Sequence, residues 1–338
     1  MREPAFWWER PGPLAWLVAP LSFLYGAIAR WRMNRKGTRA GIPVICVGNF
    51  TLGGTGKTPT AIAIARLLMA VGEKPFFLSR GYGGTLVGPV KVDPAKHKAV
   101  EVGDEPLLLA KIAHAIVSRD RVAGAALAKS SGATVIVMDD GLQNPSLAKD
   151  FSIAVIDARR GLGNSLVFPA GPLRAPLQTQ LAHTQAILLI GKGQGASQAA
   201  ELSRGSARVL LRARLEPAAD ALKAIGRRKV FAFAGIGDPE KFFMTLSSAG
   251  LEAQAEESFP DHHPYSEDEA ARILERCESG KLVPVTTEKD LVRMSGADGA
   301  VATLAAAAKA IPVSLVCDDA DILKRLIRDA LIKARAAP

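Results

Sequence analysis

The sequence predicts an α/β protein in which a parallel-sheet domain lies between an N-terminal membrane-associating helix and a second, smaller α/β domain. Three observations support this fold class. A glycine-rich turn follows an apolar strand at Pro43, apolar and amphipathic segments alternate from there onward, and an uncharged run precedes them. A second alternating set begins at Lys229, after a break near Ala224. We therefore divide the chain into the N-terminal helix, the larger domain and a smaller domain that closes over the site, at 1–36, 37–224 and 225–338.

The composition describes a globular chain whose positive charge is concentrated at one end. Its 338 residues suit about two domains, and 48% hydrophobic residues suffice for proper cores. The net charge is +10, and the first forty residues contain seven basic residues against two acidic ones. No aromatic-interleaved basic patch typical of nucleic-acid binding follows, so we expect an anionic membrane or a phosphorylated substrate and no nucleic acid. Three widely spaced cysteines predict reduced thiols rather than disulfides or a structural zinc site.

An uncharged run at residues 14–29 is the candidate membrane segment. Its sixteen residues are fewer than the ~20 that a helix needs to span hydrocarbon, and it contains Pro20. All four tryptophans flank this run or lie in it, and five basic residues follow between positions 30 and 39, as in interfacial anchors. We predict a membrane-associating helix. The alternatives are a helix docked on the protein core and a signal peptide ending at 27–29.

A strand, a glycine-rich loop and a helix start follow Pro43 in the stretch PVICVGNFTLGGTGKTPT. Glycines tolerate positive φ, so successive backbone N–H groups of such a loop can point inward at an anion. Lys57 would reach the outer phosphates of a nucleotide and the Thr58 hydroxyl would bind Mg²⁺, as in a P-loop. Thr51 stands where the usual motif has its first glycine. The larger domain is therefore predicted to be a P-loop domain that binds a nucleotide and Mg²⁺ through Thr51, Gly53, Gly54, Thr55, Gly56, Lys57 and Thr58.

The remaining elements follow from the alternation of apolar and amphipathic segments. In the larger domain we predict strands near 43–48, 75–79, 133–138, 152–157, 186–190 and 208–215, with helices near 58–71, 105–117 and 119–130. In the smaller domain we predict strands near 229–235, 251–257, 282–286 and 311–317, with helices near 239–249, 267–278 and 320–335.

Two acidic residues, Asp139 and Asp140, follow the buried strand 133–138. They would emerge at the carboxyl edge of the sheet, where α/β proteins bind ligands. Such carboxylates can hold Mg²⁺ beside nucleotide phosphates, and two adjacent ones would repel each other without a cation. Strands also often leave a sheet through Asp-Gly turns, but a P-loop strand in the same domain favours the metal-binding interpretation.

Two other strand or helix ends carry polar residues. Asp104 opens a helix, where it could be a helix cap or a general base. Arg80 and Tyr82 leave a strand end within a glycine-rich segment, which suits a phosphate or sugar site and also an ordinary turn.

The second half of the chain and its preceding loop add further candidates. Arg174 lies in a proline-rich loop, where it could brace developing phosphoryl charge or simply face solvent. His262 and His263 follow a strand, and one of them could pair with a carboxylate. The segment 286–290 (TTEKD) ends the next strand and adds polar groups at what should be the same edge of the site.

With these residues in place, the chain resembles the tetraacyldisaccharide 4′-kinase (lipid A 4′-kinase) family over essentially its whole length. The motifs that carry the resemblance are, in order, VGNFTLGGTGKTP, RGYGG, GDEP, DDGLQ, PAGPLR, DHH and TEKD. The resemblance implies transfer of the ATP γ-phosphate to the 4′-hydroxyl of a tetraacylated glucosamine disaccharide 1-phosphate, giving lipid IVA. It also implies a location at the cytoplasmic face of the inner membrane, because a substrate with four acyl chains is taken from the bilayer.

The resemblance also implies roles for individual residues. Asp104 would accept the proton of the sugar hydroxyl, and His262 would pair with it across the domain cleft. The implied catalytic residues are Asp104, His262, Lys57 and Arg174, the metal-binding residues are Thr58, Asp139 and Asp140, and the substrate-binding residues are Arg80, Tyr82 and Asn144. The sequence departs from the family pattern at Asn144, where many relatives carry histidine, and at Ala175, where an acidic residue often follows.

A membrane-associated P-loop switch ATPase without an acceptor substrate is the alternative function. Its loop, KGGxGKT, is similar to residues 52–58, but Leu52 replaces the lysine that reaches across the dimer. No NKxD motif for reading a guanine base is present in the sequence, and a soluble sugar or nucleoside kinase would leave the N-terminal helix without purpose. We infer no obligate protein partner.

Overall fold

The computed structural model describes residues 3–336, which form two sheets covered by helices. Strands β1 to β13 span Val44–Gly48, Pro75–Ser79, Val90–Lys91, Ala115–Val117, Val135–Asp139, Phe151–Asp157, Ala186–Ile190, Val209–Pro217, Val230–Ala234, Ala253–Ser258, Val283–Thr287, Lys309–Ile311 and Val313–Cys317. Helices α1 to α13 span Pro13–Met33, Lys57–Ala70, Ala99–Val102, Asp104–Ala110, Arg121–Ser130, Leu177–Ala182, Gly195–Ser206, Ala219–Ile225, Pro239–Ser248, Glu267–Gly280, Glu288–Met294, Gly299–Ala307 and Ala320–Ala336.

Strand β1, which precedes the glycine-rich loop, lies at the centre of the larger sheet. Across the described residues this sheet has nine strands in the order β13-β8-β7-β6-β1-β5-β2-β4-β3. Neighbouring strands are parallel except at the two edges, where β13 is antiparallel to β8 and β3 to β4. Every residue of β1 and β5 is buried, as expected of strands covered on both faces. The predicted parallel sheet is confirmed. The carboxyl ends of β5, β1 and β6 meet at one edge because these strands are neighbours.

The smaller sheet has the strand order β10-β9-β11-β12 and is parallel throughout. Its central strand β9 is covered on both faces. Phe231 and Phe233 pack with Ile273 of α10, whereas the alternate residues of β9 pack with Phe242 and Leu246 of α9. This alternation follows from the two-residue period of a strand, and it confirms a second α/β unit after the larger one.

Two predicted elements differ from the structure. The helix predicted over 105–117 is wrong, because α4 ends at Ala110 and the chain continues into the short strand β4. The three residues of β4 are completely buried between β2 and β3, where the apolar side chains fit a sheet better than a surface helix. The strand predicted over 311–317 is two strands, because β12 belongs to the smaller sheet and β13 to the larger one.

The end of the chain packs on the larger domain, which departs from the predicted unit 225–338. After Pro312, strand β13 pairs with β8, and α13 places Leu323, Ile327 and Leu331 in the core of the larger sheet. Hydrophobic periodicity identifies the buried face of such elements, but it does not say which of two sheets that face covers.

Helix α1 rests on the larger domain by one face and leaves most of its apolar side chains exposed. Ser22 accepts a hydrogen bond at Oγ from the Ala170 N–H at 2.8 Å, and Gly26 packs on Pro176. The large side chains that are more than half exposed are Leu14, Trp16, Leu17, Leu21, Phe23, Leu24, Ile28 and Trp31. By length and composition α1 could cross a membrane. Its exposed face is compatible with a membrane anchor, since docking on the protein covers only the opposite face.

Candidate active site

The loop between β1 and α2 opens on the carboxyl edge of the larger sheet. Gly53 and Gly56 have φ angles of 96° and 92°, in the left-handed region that favours glycine. Lys57 begins α2 directly after Gly56, so the unpaired N–H groups of the first helical turn face the loop. Backbone N–H groups and a helix N-terminus together suit a phosphate.

Neighbouring segments hold this loop through backbone carbonyl groups. The Asn49 side-chain amide donates to the Thr51 carbonyl oxygen at 2.6 Å, and Arg174 Nε donates to the same oxygen at 3.0 Å. The Leu52 N–H donates to the Pro172 carbonyl oxygen at 2.8 Å. Thr51 therefore contributes a fixed carbonyl group at the position where the usual motif has glycine. These contacts fix the start of the loop at Thr51 and Leu52.

Charged side chains surround the mouth of the loop. Lys57 Nζ lies 3.8 Å from Asp140 Oδ2, and Arg174 Nη1 lies 2.7 Å from Asp140 Oδ1. Burial raises the pKa of Asp140, but the Arg174 and Lys57 cations outweigh it and lower that pKa to about 2. Burial lowers the pKa of Lys57, and Asp140 opposes this effect. The two cations face the loop with their charge only partly neutralised, which suits a polyanionic ligand.

Asp139 is the best indicator of a cation in this region. It is 3% exposed, and its Oδ1 atom has no hydrogen-bond partner among residues 3–336. Burial and the adjacent Asp140 raise the pKa of Asp139 to about 6. The hydroxyl of Thr58, also buried, lies on the first turn of α2. An unsatisfied carboxylate oxygen with a second carboxylate and a hydroxyl group is the oxygen donor set that Mg²⁺ prefers, so these residues fit the metal.

Asp104 and His262 meet between the two domains. Asp104 lies at the start of α4 and is 3% exposed, and its Oδ1 atom is 3.3 Å from His262 Nδ1 in the loop after β10. The alternative role as a helix cap is not seen, because the cap residue is Gly103 and Asp104 is the first helical residue. The hydrogen bond to Asp104 raises the pKa of His262. The structure thus brings together the two residues predicted to form the proton-accepting pair.

Two cations of α11, in the smaller domain, pair with Asp104 and with its neighbour Glu105. Arg293 Nε lies 3.0 Å from Asp104 Oδ2, and Lys289 forms an ion pair with Glu105. Burial raises the pKa of Asp104, but side-chain hydrogen bonds with Glu105 and His262, together with the Lys289 and Arg293 cations, hold it well below its usual range. Burial raises the pKa of Glu105 to about 7 despite Lys289. Asp104 is therefore ionised at neutral pH.

Comparisons with known proteins identify the family of this chain. The sequence model of the family described as Tetraacyldisaccharide-1-P 4′-kinase matches residues 14–332. The chain belongs to this family. Tetraacyldisaccharide 4′-kinases of Rhodopseudomonas palustris (strain BisB18) and Bradyrhizobium diazoefficiens are each 52% identical, over 99% of this chain and 97% and 98% of theirs. The crystal structure of LpxK from Aquifex aeolicus in complex with ATP has a TM-score of 0.74 and 27% identity, and covers 94% of this chain and 99% of its own.

Membership of the 4′-kinase family confirms the resemblance inferred from the ordered motifs and disfavours the switch ATPase. The dimerising ATPases share only the loop around Leu52, whereas the family match spans both domains and most of α1.

The three residues predicted to bind the substrate of a 4′-kinase lie in different settings. The Tyr82 ring is 66% exposed, and its centroid lies 5.1 Å from that of His262, so it borders the proton-accepting pair. Arg80 follows β2 and is exposed. Asn144 Oδ1 accepts hydrogen bonds from the N–H and hydroxyl of Ser146, so part of this side chain shapes a turn. The roles of all three remain predictions.

Sequence reasoning missed Arg293 and assigned no role to Glu105 or Lys289. Glu105 and Lys289 lie inside the GDEP and TEKD motifs, so the sequence shows where they are. It does not show that they form an ion pair with each other. Arg293 lies four residues after Lys289, on the same face of a helix. That spacing after a motif lysine is the signal that could have found it.

Proposed function

We propose that this chain transfers the γ-phosphate of ATP to the 4′-hydroxyl of a tetraacyldisaccharide 1-phosphate, giving lipid IVA, at the cytoplasmic face of the inner membrane. The observation that carries the proposal is the Asp104–His262 pair beside a phosphate loop. A nucleotide-binding domain alone would need no such pair, whereas an alcohol acceptor needs a group that takes its proton.

The Asp104–His262 pair and the residues around the glycine-rich loop are close enough for one side chain to influence both. The Lys289 ammonium lowers the pKa values of Asp104 and Asp139, and it opposes the protonated form of Lys57. The Lys289 ammonium is therefore within electrostatic range of both the proton-accepting pair and the proposed phosphate-binding residues. This arrangement suits in-line transfer from a phosphate to a hydroxyl group.

The residues of the larger domain would bind and polarise the nucleotide. The loop N–H groups and Lys57 hold the phosphates, and Arg174 stabilises charge that develops on the transferred group. Asp139, Asp140 and Thr58 would hold Mg²⁺, which when bound neutralises phosphate charge.

Asp104 would then act as the general base. The acceptor hydroxyl donates its proton to Asp104, and His262 holds that carboxylate from the smaller domain and stabilises its negative charge. A positioned base of this kind contributes roughly 10²–10⁴-fold to the rate. Tyr82 borders the pair and would contact the sugar.

The N-terminal region fits a substrate that resides in a bilayer. The exposed face of α1 carries tryptophan and leucine side chains, and Arg30 and Arg32 lie in its last turn. Such a helix places aromatic groups at the membrane interface and basic groups near anionic lipid. We propose that α1 holds the site at the cytoplasmic surface of the membrane.

The test is transfer of labelled γ-phosphate from ATP and Mg²⁺ to tetraacyldisaccharide 1-phosphate in detergent micelles, beside a reaction without lipid. Labelled lipid is expected in the complete reaction only. Lys57→Ala should weaken both ATP binding and transfer, whereas Lys96→Ala, at an 80% exposed side chain that pairs with Asp93, should change neither. ATP hydrolysis without labelled lipid would reject the proposal and favour the switch ATPase.

A further inference from the structure

Arg293 is a buried cation of the smaller domain that contacts the proton acceptor of the larger one. Its side chain is 8% exposed. Nε lies 3.0 Å from Asp104 Oδ2, and Nη1 donates to the Gly235 carbonyl oxygen at 2.7 Å and to Asp290 Oδ1 at 3.0 Å. One guanidinium therefore joins the carboxylate of one domain to two anchor points in the other.

The anchor of Arg293 is rigid. Asp290 is completely buried, and its Oδ1 atom also accepts hydrogen bonds from the Gly235 N–H at 2.9 Å and the Tyr265 hydroxyl at 2.8 Å. A Cβ at Gly235 would come within 3.1 Å of both Arg293 and Asp290, so the glycine allows this close packing. The planar guanidinium has donors in a fixed fork, so two bonds to the anchor determine where the third points.

The same carbonyl group also places His262. The His262 N–H donates to the Gly235 oxygen at 3.1 Å, which is the atom that accepts from Arg293. Arg293 contacts Oδ2 of Asp104, and His262 contacts Oδ1 of the same carboxylate. The end of β9 thus presents both groups to the carboxylate as one unit.

We propose that Arg293 is a positioning residue that fixes the orientation of the Asp104 carboxylate between His262 and the acceptor hydroxyl. This inference rests on the proposed function, in which Asp104 accepts the proton. With Arg293 in place, rotation of the carboxylate would break a charge-assisted hydrogen bond in a buried site. Without it, one oxygen of Asp104 loses its partner and the carboxylate is free to turn.

The charged and titratable groups around Asp104 come from three elements. They are Glu105 on α4, Asp261 and His262 in the loop after β10, and Lys289, Asp290 and Arg293 on α11. Lys289 is a second cation, but it pairs with Glu105 rather than with Asp104 itself. The loss of Arg293 is therefore not compensated by a direct contact from Lys289.

The test compares kcat and KM for lipid phosphorylation in Arg293→Gln and Arg293→Lys. Glutamine removes the cation and its planar fork next to Asp104, so we expect kcat to fall roughly 10–100-fold with little change in the KM of either substrate. Lysine keeps the charge but not the planar fork, so we expect about a tenfold lower kcat, again with little change in KM. Arg272→Gln, which removes a surface partner of Glu257, is the matched control.

The outcomes separate this inference from the function on which it rests. Wild-type enzyme that labels no lipid refutes the function. Wild-type activity, with an Arg293→Gln variant that folds and keeps its kcat, refutes the role of Arg293. A lower kcat that is matched by an equal loss of folded protein or of ATP affinity would show a structural contribution only and would also refute it. If the glutamine variant does not fold, wild-type kcat in the lysine variant refutes the inference.

Discussion

The replacement Asp104→Asn tests the assignment of the general base. Asparagine keeps an oxygen acceptor for Arg293 and the shape of the side chain, but it cannot take a proton from the acceptor hydroxyl. A general base contributes roughly 10²–10⁴-fold, so the barrier to transfer should rise by about 3–5 kcal/mol. The affinity for ATP should stay near that of the wild type, because Asp104 lies outside the loop that holds the phosphates.

The effect on stability should be separable from the effect on turnover. Asp104→Ala leaves Arg293 buried without one of its two carboxylate partners, and breaking a buried pair costs about 3–5 kcal/mol when no other partner remains. Arg293 keeps Asp290 at 3.0 Å, so the cost for alanine should be smaller than that range. For asparagine it should be smaller still, at about 1–2 kcal/mol.

The assay measures three quantities on the wild type and both variants. These are kcat for lipid phosphorylation, the Kd of ATP and the free energy of unfolding in urea. We expect both variants to lose turnover by a similar factor while their stabilities differ. A folded Asp104→Asn variant that binds ATP and retains more than about a tenth of wild-type kcat would refute the assignment.

Three further predictions concern the metal site, the histidine and the membrane helix. Asp139 has a folded pKa of about 6, above its unfolded value, so its charge costs stability at pH values above 6. Asp139→Asn should raise the free energy of unfolding of the metal-free protein by on the order of 2 kcal/mol near pH 8 and not near pH 4; no gain near pH 8 would contradict this. His262 has a raised folded pKa, so its contribution is complete below the unfolded value of about 6.5 and is lost as the pH rises through the folded pKa. The Tm difference between the wild type and His262→Ala should therefore shrink as the pH rises; a constant difference would contradict the pairing. Leu17 and Phe23 are 76% and 82% exposed on α1, so serine at both should weaken binding to anionic vesicles about tenfold or more, whereas Ile332→Ser on α13 should not. Equal binding by both variants would reject α1 as the membrane contact.

The positions of the glycine-rich loop and of Asp139 and Asp140 could be predicted from the sequence because each lies in one contiguous stretch. A strand, a glycine turn and a helix start determine where Lys57 and Thr58 lie, and the parallel sheet places the end of β5 beside β1. The position of Asp139 near the loop follows from the pairing of β5 with β1, because Asp139 is the last residue of β5. Local sequence carries the information here because few long-range contacts are needed to bring these residues together.

Contacts between the domains could not be predicted in this way. The pair formed by Asp104 and Arg293 joins positions 189 residues apart, and no local pattern encodes it. The return of β13 to the larger sheet is a similar case, since the short apolar strand Val313–Cys317 would fit the edge of either sheet. Which sheet it joins depends on the path of the whole chain.

The division of the site between two domains has a consequence for the chemistry. The loop, Lys57, Asp139 and Asp140, which we propose bind the nucleotide and Mg²⁺, all belong to the larger domain. The groups that hold the proton acceptor, His262 and Arg293, come from the smaller domain. Water is a competing acceptor for the phosphoryl group at any nucleotide-bound site. A base that is completed only when the smaller domain is in place would therefore favour transfer to the bound alcohol over hydrolysis of ATP.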